Sequence, residues 1–440
     1  SNSSAASDVY KRQLEQAKEA LIAAYLNETT LYVKSAYLTA LGKLDVRENL
    51  EFFKNRLQEV KNQQVPAEEQ KHQGEEIREL NEIILKTEGA KKHQFTGFQM
   101  PHEMLLLTNR EQREVTFSEV KEIGASVQRK AELHPLGVLV FSKEVTPFTK
   151  LRTYRELLFP IHTNERIPAM PHRAAELLWH SDLYAFLTEC HEGDAPFFFR
   201  LEVKSAEPKT EFVKKLGASL EKKSDWKLAN STTDYEIEIR LIEAKDGSFV
   251  PFLKLYSMKM KRFAYRKNAI AMSIHPATAA MLMYLAKPYL KENAQILDPC
   301  CGVGTMLIER DILVPAREKY GIDIFGDAID MARENAALAG EKINFIHRDY
   351  FDFKHDYKFD EIVTNMPVKG KKAKEDMDAF YARFFEKSKS LLAEDGIIIM
   401  YSNEVGFVKK QLRLQPCYRL IQEYTIRKKD SYCLFIIGMK

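Results

Sequence analysis

The sequence predicts an α/β protein: a Rossmann-like, mainly parallel sheet at the C-terminus, preceded by an α+β region and a helical N-terminal domain. Apolar strands alternate with helices through residues 276–440, which is typical of a doubly wound sheet. Residues 96–275 mix short apolar runs with amphipathic stretches, and residues 1–95 show helical periodicity with few glycines or prolines. We therefore expect three domains with these boundaries.

Composition indicates a globular protein without a polycationic character. The 440 residues carry 66 Lys and Arg against 63 Asp and Glu, so any nucleic-acid contact must come from local basic patches. No apolar run approaches the roughly 20 residues of a membrane span. Five scattered cysteines without a C-x-x-C pair favour a reducing, cytoplasmic location and predict no metal site. The opening SNSSAASDVYKRQ resembles a non-native scar, so we assign no function to its first dozen residues.

The N-terminal region predicts a helical hairpin that packs or dimerises. Its two apolar stripes are Leu14, Ala17, Leu21, Ala24 and then Val46, Leu50, Phe53, Leu57, Val60. Pro66 and Gly74 are expected to interrupt the helices, and Gly89 to end the last one. Self-association or a protein partner is the favoured role, and an RNA-contacting face is the alternative.

The middle region predicts a small sheet with helices on one side. GVLVFS and FFFRLEV read as strands and KTEFVKKLGASLEKK as a helix, and Asp246-Gly247 joins DYEIEIRLIEA to SFVPFLKLY in a hairpin. Along the first hairpin strand Ile237, Ile239 and Leu241 alternate with Glu236, Glu238 and Arg240. This alternation predicts one covered face and one face in solvent.

The C-terminal region predicts a strand and a helix in turn, closed by a strand hairpin. The predicted strands are AQILDP, YGIDI, INFIHRD, FDEIVTN, GIIIMYS, YRLIQEYTIRK and SYCLFIIGM. The predicted helices are GTMLIERDIL, GDAIDMARENAALAG and DAFYARFFEKSKSLLA. The last two strands form the hairpin around the turn-like KKDS.

Polar and glycine residues follow four of these strands, where ligands bind in such sheets. Gly302 and Gly304 allow a tight turn after Asp298, while Asp323 suits ribose hydroxyls and Asp349 an adenine amino group. A dinucleotide fingerprint would need a third glycine at Leu307, and no phosphate-binding G-x-x-x-x-G-K-[ST] occurs. An adenosine ligand without a pyrophosphate remains, and S-adenosylmethionine is the candidate.

DPCCGVGTMLIE, GIDI, MARENAALAG and VTNMP together resemble a class I S-adenosylmethionine-dependent RNA methyltransferase of the THUMP-domain guanine-N2 family. FFFRLEVKS, EFVKKLGASLEKK, FLKLYSMKMKRFAYRK and IHPATAAMLMYLA resemble the THUMP RNA-binding module and its connection to the catalytic domain. The resemblance covers roughly residues 150–440. It implies methylation of an exocyclic base amine, chiefly guanine N2, in tRNA or rRNA.

The resemblance also implies site residues. Those expected to bind S-adenosylmethionine are Asp298, Cys300, Gly302, Gly304, Thr305, Asp323, Ile324, Asp349, Tyr350 and Asn365. The catalytic residues are Asn365, Met366 and Pro367. An exocyclic amine is a poor nucleophile, so oxygens of Asn365 and Met366 would hold its N–H groups and aim its lone pair, and Pro367 would fix the local backbone.

One position departs from the family pattern. Val368 stands where these enzymes usually carry an aromatic residue that stacks on the flipped base. Tyr350, Phe351 or Tyr381 would then supply the platform, or catalysis is weak, or the protein binds RNA without methylating it. N6-adenine methylation of RNA or DNA and a non-catalytic RNA-binding role stay open as alternatives.

Three further features have predicted roles. The basic runs at 259–267 and 369–374 are expected to contact RNA phosphates. His275 is expected to orient the start of the helix that follows it. Cys300 and Cys301 are expected to be small packing residues beside the cofactor loop.

Overall fold

The computed structural model describes residues 2–89, 92–123, 130–193, 196–368 and 374–440, with side chains from residues 12 and 375 onward in the first and last ranges. The helices within these ranges are α1 (Asn2–Asn27), α2 (Leu31–Leu41), α3 (Leu50–Asn62), α4 (Gln70–Glu88), α5 (Arg113–Glu122), α6 (Pro171–Trp179), α7 (Leu183–Glu189), α8 (Thr210–Lys223), α9 (Pro276–Ala286), α10 (Thr305–Leu313), α11 (Gly326–Ala339), α12 (Lys374–Leu391) and α13 (Val405–Leu414). The strands are β1 (Gln94–Phe95), β2 (His102–Leu107), β3 (Lys130–His134), β4 (Gly137–Ser142), β5 (Glu156–Pro160), β6 (His191–Glu192), β7 (Phe197–Lys204), β8 (Leu228–Asn230), β9 (Ile237–Glu243), β10 (Phe249–Leu255), β11 (Gln295–Asp298), β12 (Glu318–Asp323), β13 (Asn344–His347), β14 (Phe359–Asn365), β15 (Leu392–Ser402), β16 (Tyr418–Arg427) and β17 (Tyr432–Met439).

The chain forms two compact units, and neither is continuous in sequence. The first unit comprises Ser1–Gly97 and Ile161–Met258, and the second comprises Phe98–Pro160 and Lys259–Lys440. The predicted division into 1–95, 96–275 and 276–440 stays a prediction about domain organisation.

The N-terminal helices share a core to which the two predicted stripes contribute unequally. Phe53, Leu57 and Val60 of the second stripe are buried, as predicted. In the first stripe Leu14 and Ala17 are exposed, and α1 instead buries Lys18 and Tyr25. Tyr25 Oη donates to Glu76, which also pairs with Arg56, so polar contacts decide which side of α1 turns inward. The prediction that Gly74 interrupts a helix is wrong, because α4 continues through it.

The α/β part of the first unit has the predicted order of strands. Strand β7 pairs in parallel with β8 and β9, and β9 pairs with β10 in the expected hairpin, with Glu243 opposite Phe249. The predicted solvent face of β9 is wrong. Glu236, Glu238 and Arg240 are all buried, because Glu238 pairs at 2.5 Å with both Arg200 and Arg240 and Glu236 accepts from His93 at 2.6 Å.

Segment 98–160 belongs to the second unit. Its strands follow the order β3-β4-β2-β5 with antiparallel pairing, and α5 lies between β2 and β3 in sequence. Asn109 Nδ2 donates to the Ile426 carbonyl on β16 at 2.9 Å, and Lys428 pairs with Glu111 at 2.9 Å. These two polar contacts join segment 98–160 to the C-terminal hairpin.

The second unit is built on a sheet of order β13-β12-β11-β14-β15-β17-β16. Its first five strands are parallel, and β17 runs antiparallel to both β15 and β16. The predicted mainly parallel sheet with its C-terminal hairpin is confirmed. Helix α13 was not predicted, although it is amphipathic: Val408 is buried, and Val405, Phe407 and Leu412 pack against the core.

An apolar core packs on each face of this sheet. Alternate residues of one strand point to opposite faces, so Ile399 packs in the cluster that contains Met283 of α9, while Ile398 packs in the cluster that contains Phe384 of α12. In the described ranges, none of the helices combines the length and the apolar character that crossing a bilayer would require.

A fully buried ion pair ties α10 to the central strand β14. Arg310 Nε and Nη2 donate to the Glu361 carboxylate at 2.7 and 2.8 Å, and both side chains are inaccessible to solvent. Arg310 also donates to the carbonyls of Lys291 and Val314, and Lys291 N–H donates to Glu361. These bonds compensate the cost of removing both charges from water.

Glu361→Leu is expected to lower the free energy of unfolding by about 3–5 kcal/mol, because the substitution strands the buried Arg310 charge. Urea denaturation followed by circular dichroism measures this change. Asp395→Ala is the matched control: it breaks the exposed Lys291–Asp395 pair and should cost less than about 1 kcal/mol. Equal losses of unfolding free energy in the two variants would show that the buried Arg310–Glu361 pair stabilises the protein no more than the exposed pair does.

Candidate functional site

The carboxyl ends of four parallel strands bring the predicted residues to one edge of the second unit's sheet. In the order β13-β12-β11-β14 these strands end at His347, Asp323, Asp298 and Asn365. Asp298 lies opposite Gly321 and Asp323 opposite His347 in the strand registers. Sequence-distant residues thus become neighbours at the position where ligands bind in such sheets.

A glycine loop (Cys300–Thr305) closes over the ends of β11 and β12. Gly302 N–H donates to Asp323 Oδ2 at 2.8 Å, and Phe325 N–H donates to Asp323 Oδ1 at 3.0 Å. Cys301 N–H donates to the Ile322 carbonyl at 3.0 Å. The Asp323 carboxylate is therefore fixed in place, while each of its oxygens keeps acceptor capacity for a further donor.

The two glycines of this loop have different reasons to be glycine. Both have positive φ, 51° at Gly302 and 83° at Gly304. A Cβ on Gly304 would lie 2.9 Å from Phe345 Cζ, so Gly304 permits close packing of the loop on the core. A Cβ on Gly302 would meet nothing within 4 Å, so the backbone there faces open space that another molecule can approach.

Asp298 is the most perturbed carboxyl group of the site. The residue is 1% exposed, and Cys300 N–H donates to its Oδ1 at 3.0 Å. Burial, with a smaller contribution from the nearby Asp323 charge, raises the pKa of Asp298 to about 8. Its Oδ2 has no hydrogen-bond partner among the described residues, and neither has the hydroxyl of Thr305 or of Thr364. Unpaired buried polar atoms of this kind mark a place where a polar ligand fits.

The residues predicted for the adenine side differ in accessibility. Ile324 is 57% exposed and the neighbouring Phe325 65%, while Asp349 is exposed and accepts from Phe351 N–H at 2.9 Å. Tyr350 is buried, and its hydroxyl is bonded to Ser388 Oγ at 2.9 Å. Cys300 is half-buried, whereas Cys301 is buried and packs with Gly321 and Phe345.

The predicted catalytic residues follow the end of β14. Met366 N–H donates to the Tyr401 carbonyl at 2.9 Å, which fixes the peptide after Asn365. The side chains of Asn365 and Pro367 are half-buried at the edge, while Met366 is buried. Asn365 is in register with Tyr401 of β15, so both side chains project from the same face of the sheet.

None of the three aromatic residues predicted to replace the missing platform presents a free ring. Tyr381 is fully buried with its hydroxyl bonded to Ser402 Oγ at 2.6 Å, and Tyr350 is buried as described. The Arg383 guanidinium lies over the Phe351 ring at 3.9 Å from its centre. Another aromatic pair was not predicted: Tyr401 and Tyr432 stack with ring centres 4.8 Å apart, at the edge where Asn365 lies.

The first basic run makes internal contacts that its sequence did not indicate. Arg262 donates to the carbonyls of Leu151, Tyr154 and Arg155 at 2.5–3.0 Å, so its guanidinium is held inside the protein, and phosphate contact by the run 259–267 stays a prediction. Lys267 pairs with Glu334 at 2.5 Å. Of the second basic run, 369–373 lie outside the described residues.

The predicted role of His275 is confirmed. Its Nδ1 accepts from Ala277 N–H at 3.1 Å and caps α9, whose first residue is Pro276. Burial, reinforced by the nearby Arg155 charge, lowers the pKa of His275 to about 4, so the ring is neutral and can accept this bond.

Comparison with known proteins identifies the domain that bears this edge. Residues 264–429 match the model of the UPF0020 family, described as an RMKL-like methyltransferase domain. A tRNA (guanine(10)-N2)-dimethyltransferase of Methanothermobacter thermautotrophicus is 33% identical over 162 residues, 36% of this chain and 46% of that protein. The chain thus spans under half of the length of that relative.

Solved structures share the fold over a larger part of the chain. TrmN from Thermus thermophilus superposes with a TM-score of 0.55 and 18% identity, over 77% of this chain and 99% of that one. SMU.472, a putative methyltransferase complexed with SAH, gives a TM-score of 0.57 and 14% identity, over 77% of this chain and 98% of that one. Residues 264–429 therefore resemble the RMKL-like methyltransferase domain of the UPF0020 family, and the chain shares the fold of these solved structures.

Proposed function

We propose that this protein transfers a methyl group from S-adenosylmethionine to an exocyclic base amine of RNA, chiefly guanine N2 in tRNA or rRNA. The convergence of Asp298, Asp323 and Asn365 at one sheet edge of the methyltransferase domain supports the proposal most. The name of the Methanothermobacter relative supports guanine N2 and tRNA. The absence of a disulfide among the five described cysteines supports a cytoplasmic location.

The glycine loop and its neighbours fit the cofactor. S-adenosylmethionine carries its methyl on a positive sulfonium, and its amino acid end carries an ammonium group. We assign the unpaired Asp298 Oδ2 and the open backbone at Gly302 to that end, with Gly304, Thr305 and Cys300 shaping the loop. Asp323 would accept the ribose hydroxyls with its remaining lone pairs. The exposed Ile324 and Asp349 would bind the adenine, with Tyr350 supporting them from the core.

Asn365 and Met366 would hold the amine. The Asn365 side-chain oxygen and the Met366 carbonyl are acceptors on adjacent residues, so they can take the two N–H groups of one amine and leave its lone pair free. The ring of Pro367 fixes its own φ directly after the Met366 carbonyl, and the Met366 N–H bond to Tyr401 fixes the peptide before Met366. This chain's contribution to the rate is then mainly positioning.

Tyr432 is our candidate for the platform under the target base. Strand β17 runs antiparallel to β15, so its first residue lies at the edge where β14 ends. Tyr401, Leu434 and Val363 pack in one core, and Tyr432 and Asn365 each lie two residues from a member of it on the same face. Tyr432 is half-buried, and its ring, like that of Phe351, is covered by a guanidinium, with Arg427 at 4.3 Å from the ring centre. The flat surface offered to a base would then be the Arg427–Tyr432 stack, and its place at the edge beside Asn365 distinguishes it from Phe351.

The remaining parts of the chain would serve RNA binding and assembly. We propose that the α/β part of the first unit is a THUMP-like RNA-binding module. The N-terminal helices would self-associate or bind a protein partner. A base inside structured RNA must leave its stack to reach Asn365, so a docking module outside the methyltransferase domain would select which nucleotide arrives.

Transfer of labelled methyl from S-adenosylmethionine to unmodified total RNA tests the function, with nucleoside mass spectrometry of the product. N2-methylguanosine is expected. Asn365→Ala should lower kcat at least about 100-fold through lost positioning. Asp323→Ala should raise the KM for S-adenosylmethionine by about 10- to 100-fold through lost charged hydrogen bonds.

Asp327→Ala is the control for Asp323→Ala, because Asp327 is an exposed carboxylate in the first turn of α11. Asp327→Ala should leave kcat and the KM for S-adenosylmethionine within about twofold of wild type. N6-methyladenosine in the product would move the assignment to the adenine amine. Absence of label with intact cofactor and RNA binding would contradict catalysis on these RNAs and favour a non-catalytic RNA-binding protein.

Binding of S-adenosylhomocysteine should release a proton from Asp298 and strengthen as pH rises toward 8. The raised pKa keeps the carboxyl largely protonated at neutral pH, whereas a bound ammonium favours the carboxylate and lowers that pKa. We expect the Kd to fall roughly tenfold from about pH 6.5 to about pH 8.5 and then to level off. Calorimetry in buffers of different ionisation enthalpy measures the proton, and Asp298→Asn should abolish both effects. A flat pH profile for wild type would contradict this role of Asp298.

Tyr432→Ala should lower kcat/KM for RNA by about tenfold or more, since base stacking is worth about 1–3 kcal/mol, while Tyr432→Phe should keep most of the activity. Val368→Tyr, introduced into Tyr432→Ala, should restore activity by supplying a platform beside Pro367. Steady-state kinetics with one RNA measure these changes. Full activity in Tyr432→Ala would remove Tyr432 from the site.

A further inference from the structure

Asn335 is a fully buried amide in the middle of α11, outside the set of residues assigned to the site above. Its Nδ2 donates to the Val303 carbonyl in the glycine loop at 3.2 Å. The same side chain forms a reciprocal pair with the backbone of Asn268, in which Asn268 N–H donates to Oδ1 and Nδ2 donates to the Asn268 carbonyl, both at 3.0 Å. One side chain thus holds two separate backbone segments.

The chemistry of these bonds requires an amide. Asn335 uses its oxygen as an acceptor and its NH₂ group as a donor to two carbonyls, a combination that neither a carboxylate nor an apolar side chain of the same size provides. Val303 lies between Gly302 and Gly304, the two residues with positive φ. The bond to its carbonyl therefore restrains the part of the glycine loop that has the greatest backbone freedom.

Asn268 ends a strap (Arg262–Asn268) that is anchored at several points within the second unit. Arg262 donates to three carbonyls of residues 151–155. Tyr265 Oη donates to Glu309 of α10 at 2.6 Å, and Arg152 makes two bonds of 2.8 Å to the same carboxylate. The strap therefore runs from segment 98–160, across α10, to Asn335.

We propose that Asn335 is a positioning residue that couples the strap to the glycine loop, so that cofactor binding at the loop and ordering of the strap stabilise each other. The inference rests on the proposed cofactor site. Because a coupling free energy is reciprocal, a ligand that fixes the loop must also stabilise the strap, and loosening of the strap must weaken ligand binding. Segment 98–160 is thereby linked to the occupancy of the cofactor site through contacts inside one unit.

The test compares Asn335→Leu with Asn268→Ala in the full-length protein. Asn335→Leu keeps the number and branching of the side-chain heavy atoms and removes all three bonds, whereas Asn268→Ala leaves those bonds in place because Asn335 bonds only to the backbone of Asn268. Asn268→Ala loses just the side-chain bond to Glu334. Calorimetry with S-adenosylhomocysteine should give a Kd at least about tenfold weaker for Asn335→Leu and within about twofold of wild type for Asn268→Ala.

Hydrogen exchange provides a second readout, and its measurement on the wild-type protein does not depend on whether Asn335→Leu folds. In the wild-type protein, S-adenosylhomocysteine should slow exchange in peptides spanning the strap. In Asn335→Ser, which keeps a single hydroxyl donor, this protection should shrink while circular dichroism stays unchanged. A merely structural role would lower thermal stability without changing the ligand-dependent protection.

Two results separate this inference from the proposed function. Wild type that binds S-adenosylhomocysteine without any change in strap exchange, or a folded Asn335→Leu with wild-type affinity, would overturn the coupling alone. Wild type that does not bind S-adenosylhomocysteine would overturn the cofactor assignment and the coupling with it.

Discussion

A backbone amide, Gly302 N–H, donates to the Asp323 carboxylate at 2.8 Å across the ends of two adjacent parallel strands. The bond is possible because β11 and β12 run in the same direction and end at the same edge of the sheet. It sets the orientation of the carboxylate and the path of the glycine loop together. The open side of Gly302, the unpaired oxygen of Asp298 and the start of α10 all take their positions from that path.

Other buried charges of the second unit are paired. Arg310 and Glu361 join α10 to β14, and Glu309 on the adjacent position of the same helix receives Arg152 and Tyr265. These carboxylates are fully paired, whereas Asp298 is buried with one oxygen unpaired. Buried structural charges are compensated in this way, so a buried carboxyl group with an unpaired oxygen and a raised pKa marks the place where a ligand is expected.

Local sequence patterns predicted the elements of the second unit's seven-stranded sheet well. Every strand predicted between residues 295 and 439 is present, and the alternation of strands and helices was sufficient to predict a parallel sheet. The polarity pattern gave wrong predictions where charged residues are buried in ion pairs. Glu238 and Arg240 look like solvent-facing residues but lie buried with Arg200, and Lys18 takes the inward position that the stripe on α1 assigned to apolar residues.

The candidate residues Asp298, Asp323, Asp349 and Asn365 could be predicted from the amino-acid pattern, because ligands bind at the strand ends of a parallel sheet and those ends are recognisable from apolar runs. Which side chains face the edge depends on the packing of distant segments. Tyr350 and Tyr381 turn into the core, Tyr432 reaches the edge on a strand that runs the other way, and Arg262 and Asn335 bond to distant backbone. Such contacts join residues far apart in the chain, so no local pattern encodes them.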